Sequence, residues 1–135
     1  MLKQYLIAVA ALSSKSVEAM VLKYGREYPA PAVARPQGMK KGKDKECYTN
    51  AYHTVISNKG FTYVEGYATT YGIPLEHAWV LDPNGVVIDP TWRTPGEQYY
   101  GIEFDIPFVN QVIHEKGTYG VLDARSSILR NRFGM

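Results

Sequence analysis

Between Pro74 and Trp92 apolar and polar positions alternate up to Asp82-Pro83-Asn84-Gly85, and a β-branched run, Val86-Val87-Ile88, leads away from that turn signal. This pattern predicts a β-hairpin. Pro83 pre-sets φ for a type I turn and Gly85 supplies the left-handed residue after it, which makes a three-residue loop closed by a G1 bulge. In that register Asp82 lies opposite Val86, Trp79 opposite Asp89 and His77 opposite Thr91. Side chains alternate with a period of two, so His77 and Asp89 become diagonal neighbours on one face, about 7 Å apart at Cα.

The rest of the chain divides by the same criteria. Ala51, Val55, Tyr48 and Tyr52 recur at helical spacing between Cys47 and the stop signal Lys59-Gly60, which predicts a helix with Cys47 in its first turn. Phe61 to Thr69 reads as a strand and Thr70 to Pro74 as its connection to the hairpin. Glu65 and Tyr67 share one face of that strand; a water-facing Glu on an edge strand is the expectation, with one of the two lining the cleft as the functional alternative. Upstream, Met1 to Leu12 and Val17 to Gly25 read as two helical pieces broken at Ser13-Ser14. Pro29, Pro31 and Pro36 predict extended chain from Arg26, and a charged loop, Gly38 to Glu46, delivers the chain to Cys47. Downstream, Tyr99 to Phe104 reads as a fourth strand, Asp105 as the cap of a helix over Ile106 to Gly117, and Val121 to Arg132 as a final helix with a basic end.

Composition narrows the class. At 135 residues with 45% hydrophobic content the chain is expected to form one domain, 1–135, of α+β type, with the Cys47 helix packed on an antiparallel sheet. Fifteen basic against thirteen acidic side chains leave a formal charge of +2, which gives no electrostatic basis for a nucleic-acid partner. The lysines of the Gly38 to Glu46 loop are expected to be solvated, with steering of an acidic substrate as the functional alternative. One cysteine excludes an internal disulfide and fits a reducing, cytoplasmic setting. The apolar run at Met1 to Leu12, with one early Lys and Ala8-Val9-Ala10, leaves secretion open. It is too short for a membrane span, and a packed helix is the expectation. Cys47, His53, His77, Asp89 and His114 include metal-ligand types, but there is no CxxC, no HxxxH and no second cysteine, so no metal or cofactor is expected.

Cys47, His77 and Asp89 supply a nucleophile, a base and a group to orient that base, in that order along the chain. A thiol at a helix N-terminus beside an imidazole is expected to have a depressed pKa. Asn50 lies one turn after Cys47 and can share its face, whereas His53 is rotated away and is expected at the surface or in packing.

Four stretches in order carry a family resemblance: Cys47 opening a helix, Phe61-Thr62-Tyr63-Val64-Glu65-Gly66-Tyr67-Ala68, His77-Ala78-Trp79-Val80, and Val87-Ile88-Asp89-Pro90-Thr91. Together they resemble the transglutaminase-like branch of the papain-like cysteine enzymes, over a motif core of about 46–92. The resemblance implies a papain-like core with Cys47 as nucleophile, His77 as base and Asp89 as orienter. It also implies acyl transfer or amide hydrolysis through a thioester, of peptidase, deamidase or transglutaminase type, on a protein or peptide-like amide. Gln37, Asn50 and Trp79 are the side-chain candidates for oxyanion or substrate contacts, with the Cys47 N–H as a backbone donor. The competing reading is a non-catalytic binding or inhibitor module on the same fold, in which Cys47 is structural.

Overall fold

A computed structural model describes all residues, 1–135. Two helices open the chain, α1 (Leu2–Leu12) and α2 (Val17–Tyr24), followed by the short strand β1 (Arg26–Tyr28) and, after a long irregular segment, α3 (Cys47–Ser57). Then come β2 (Thr62–Thr70), β3 (Ile73–Leu81), β4 (Val87–Ile88), β5 (Tyr99–Phe104), α4 (Ile106–Lys116) and α5 (Ser127–Phe133). The five strands form one antiparallel sheet in the order β1-β5-β2-β3-β4. The protein is therefore mixed α+β. No helix is long and apolar enough to cross a membrane.

The hairpin register is the one the turn chemistry dictates. Asp82 N–H donates to Val86 C=O at 3.0 Å, and Val80 pairs with Ile88 and Leu81 with Val87. The ladder then stops after two residues, because Pro90 has no N–H to donate and Asp89 N–H donates instead to Ala34 C=O at 2.8 Å. Thr91 is consequently not a ladder partner of His77. The connection expected over Thr70 to Pro74 is also shorter. Thr70 pairs with Ile73, leaving Tyr71 and Gly72 as a two-residue turn with φ of 49° and 73°. Positive φ at both positions is the type I′ turn that suits the twist of a hairpin.

Three further differences are non-local. Arg26–Tyr28, expected only as extended chain, pairs with β5 as an edge strand. The final helix begins at Ser127 rather than Val121: Ser126 Oγ accepts from Leu129 N–H, and the N–H groups of Val121 and Leu122 donate to the Glu65 carboxylate instead of entering a helix. Glu65 itself is buried, because β5 flanks β2 on the side away from β3 and makes β2 the central strand. It sits on the helix-covered face, accepting also from Tyr63 O–H.

Each face of the sheet carries a core. On one, Tyr63, Tyr67, Ala78, Val80, Tyr100 and Ile102 pack against apolar residues of α1, α2, α3 and α4. On the other, Tyr28, Val64, Ala68, Trp79, Leu81, Val87 and Tyr99 form a smaller cluster joined by Trp92. Gly66 and Gly101 face each other across β2 and β5, and a Cβ on Gly101 would lie 2.7 Å from the Trp79 ring. The missing side chain makes room for that indole. His77 and Asp89 belong to this second face.

Candidate functional site

Asp89 is fully buried and receives every hydrogen bond that its two oxygens can readily take. Its Oδ1 accepts from the N–H groups of Thr91 and Trp92, each at 3.0 Å, an Asx-type turn in which Pro90 follows the aspartate directly. Its Oδ2 accepts from Tyr99 O–H at 2.8 Å and lies 2.8 Å from His77 Nε2. Burial pushes the Asp89 carboxyl up, but the hydrogen bond and charge of His77 and the two backbone donors outweigh it, and the group lies below the usual carboxylate range. An ionised carboxylate only accepts, so the proton on the shared side belongs to Nε2 and Nδ1 is the basic nitrogen.

The surroundings hold this pair in place. Trp92 stacks on the His77 ring with centroids 3.8 Å apart and planes 16° from parallel. Trp79 flanks the same ring at 6.1 Å. Tyr99 O–H accepts from Gly96 N–H at 2.7 Å while donating to Asp89. Arg35 donates to the backbone carbonyls of Asp89 and Trp92, both at 2.7 Å, so a segment far upstream clamps the turn from behind.

Cys47 approaches from the other side of β3. Its helix presents a stripe of Cys47, Tyr48, Ala51, Tyr52 and Val55 to the helix-side core, which orients the first turn onto β3. Glu46 precedes the helix without capping it, so the N–H groups of the first turn have no side-chain acceptor. The N–H groups of Ala78, one residue after His77, and of Tyr48 lie beside the Cys47 thiol and favour its ionised form, while the nearby charges of Glu65 and Asp89 oppose it. Cys47, His77 and Asp89 thus share one neighbourhood.

The expected depression of the thiol pKa is overturned. Burial, with the carboxylates of Glu65 and Asp89 nearby, pushes the Cys47 thiol up to about 11 against the two N–H groups that pull it down. The helix N-terminus is outweighed by desolvation and two negative charges. At neutral pH Cys47 therefore carries its proton. Its alkylation by iodoacetamide should keep rising with pH above about 9 and show no plateau below neutrality; a plateau below pH 7, lost in His77→Ala, would instead reveal a resting thiolate–imidazolium pair.

The other predicted contacts lie as follows. Asn50 donates both amide hydrogens, to Lys43 C=O at 2.8 Å and Thr91 Oγ1 at 2.9 Å, so it ties the lysine-rich loop to the Asp89 turn and has no donor left for an oxyanion. Trp79 is fully buried between Tyr28 and Tyr99, which is a packing position rather than a substrate contact, and its indole N–H has no acceptor. Gln37 is in an exposed turn without a hydrogen bond to the site. His53 is exposed beside Tyr52 and Tyr119. No group of three or more His, Cys, Asp or Glu side chains is gathered as a ligand set.

Tyr99, Trp92, Thr91 and Arg35 are site residues that sequence reasoning passed over. Asp89-Pro90-Thr91 carried a usable signal, since an Asp two residues before a free N–H tends to cap it. Nothing local marks Tyr99 or Arg35. A cavity of about 380 Å³ opens beside Trp92, lined also by Lys41, Asp44, Thr70, Tyr71 and Arg93. Lys41 is the one lysine of the charged loop that lines it, held to Asp44 by an ion pair. No family model, no curated protein and no solved structure matches the chain.

Proposed function

We propose that the protein is a cysteine-dependent enzyme that transfers an acyl group from an amide, with Cys47 as nucleophile, His77 as general base and then acid, and Asp89 as the group that orients His77. The observation that carries this reading is the 2.8 Å contact of His77 Nε2 with a buried Asp89, on the strand whose next N–H lies beside the Cys47 thiol. The arrangement resembles the transglutaminase-like branch of the papain-like enzymes, and a papain-like core is part of the proposal.

In this reading His77 Nδ1 takes the thiol proton as Sγ attacks the carbonyl carbon of a protein or peptide-like amide. Asp89 stabilises the imidazolium that forms. The uncapped N–H of Cys47 faces the oxygen that becomes negative. Collapse breaks the C–N bond, the proton on His77 leaves with the amine, and a thioester on Cys47 remains. Water then gives hydrolysis or deamidation, and an amine gives a new amide.

A second reading, a non-catalytic binding or inhibitor module, is favoured by the burial that pushes the thiol up to about 11. Intact-mass measurement after incubation with amide-bearing protein extract separates the two. Wild type should carry a hydroxylamine-labile adduct on Cys47, absent from Cys47→Ser and His77→Ala. Equal biological activity of wild type and Cys47→Ser would leave only the binding module.

A further inference from the structure

In an antiparallel ladder alternate residues turn their backbone groups to the same side. Asp82 donates toward β4, so Val80, Ala78, Glu76 and Pro74 face that side too, and their register with β2 is unbroken from Ile73 to Leu81. β4 covers only Val80 and Leu81. Beyond it Ala78 N–H lies beside the Cys47 thiol, while Glu76 N–H and the carbonyls of Glu76 and Pro74 have no partner in the protein. The free edge thus begins at the thiol and runs outward in the line that β4 leaves vacant.

The side chains along it are those of a docking strand. Natural edges are blunted by charge, bulges or proline. Here Pro74 blunts the far end and Glu76 is the one exposed charge on the stretch, while three large apolar side chains remain open to solvent around them: Tyr71 (93% exposed), Ile73 (57%) and Leu75 (42%). Ile73 and Leu75 lie on the same face as His77, by strand alternation.

We propose that the Pro74 to Ala78 edge of β3 binds an extended polypeptide as an added antiparallel strand, whose backbone pairs with Glu76 and Pro74 and whose apolar side chains rest on Leu75 and Ile73. An alternating row of N–H and C=O groups is matched by peptide backbone and by no small amide. A strand rises about 3.3 Å per residue, so the residue paired with Glu76 lies about two residues from the point opposite Ala78, where the thiol sits. The substrate class is then unfolded or looped polypeptide. That last step rests on the acyl-transfer reading; the docking itself does not.

The test uses the Cys47→Ser protein, immobilised, and a pool of N-acetylated random octapeptides; retained sequences are remade with N-methyl groups on alternate amides. Retained peptides should be rich in β-branched and aromatic residues. One of the two alternating N-methyl sets should weaken binding about tenfold or more, as the loss of one to two backbone hydrogen bonds implies. Glu76→Pro and Leu75→Lys should do the same; Leu75→Lys changes an exposed side chain, so it keeps the test valid if Glu76→Pro does not fold. No retention at millimolar peptide, or retention indifferent to N-methylation and to Leu75→Lys, overturns the proposal. So does a dimer in sedimentation that Leu75→Lys dissolves, since the edge would then hold a second copy of the chain. Peptide binding of this kind without any thioester on wild type supports the docking strand and removes the acyl transfer. Thioesters from small amides with no peptide retained do the reverse.

Discussion

Asp89→Asn should fold and lose on the order of 10³- to 10⁴-fold in the rate of thioester formation, by analogy with the same exchange in the serine-protease triad. The reason lies in how the carboxylate is held. The N–H groups of Thr91 and Trp92 both donate to Oδ1, so an asparagine must place its carbonyl oxygen there. Its NH₂ then faces His77 and Tyr99, where Oδ2 had accepted from both. Tyr99 O–H can turn and accept. His77 cannot do so without moving its proton to Nδ1, which leaves no base for the thiol. Rates of adduct formation on wild type and variant, with matched circular dichroism, measure the effect. A change of less than about threefold would show that Asp89 has a structural role only.

Glu65→Ala should destabilise the fold by about 3–5 kcal/mol, because it strips the acceptor from Tyr63 O–H, Val121 N–H and Leu122 N–H together in a buried place. Thermal and urea denaturation give the number. A pH titration adds a sign. Burial raises the Glu65 carboxyl above its ordinary 4.5, outweighing the hydrogen bonds from Leu122, Tyr63 and Val121. The folded state thus holds this proton more tightly than the unfolded one. That contribution to stability is complete below the unfolded pKa and fades as pH rises through the folded one. Glu65→Gln should remove this fall from the stability profile, and a wild-type profile with the opposite slope over that range, unmatched in the variant, would sink the assignment.

What could be read from sequence was what is encoded locally. Asp82-Pro83-Asn84-Gly85 sets its own turn and with it the Val80–Ile88 register, and although the ladder ends there, Asp89 one residue on makes the expected contact with His77. Asp105 caps α4 through Phe108 N–H as expected, and Gly25 ends α2. Hidden features depend on chain far away. β5 lies between β1 and β2, so the strand carrying Glu65 becomes central and buried, which no alternation within Phe61 to Thr69 can reveal. The Cys47 pKa failed for the same reason: a helix start favours a thiolate, but burial of the first turn and two distant carboxylates, one on β2 and one just after β4, decide the balance. Asn50 was placed on the correct face, yet its hydrogen-bond capacity is filled by Lys43 and Thr91, partners that only the folded loop supplies.

The strand order also bears on when the thiol is assembled. Cys47, His77 and Asp89 all precede β5, and during synthesis they emerge from the ribosome before it. The β2–β3 hairpin closes on a two-residue turn and forms within microseconds once free. At that moment β2 has one bare edge, Tyr99 is not there to steady Asp89, and Glu65 lacks the Val121 and Leu122 amides that accommodate it. A nascent chain therefore displays the three side chains without the environment that aligns them. That environment is complete only when Leu122 has arrived, with about nine-tenths of the chain made, so a shorter unfinished copy carries an ordinary cysteine.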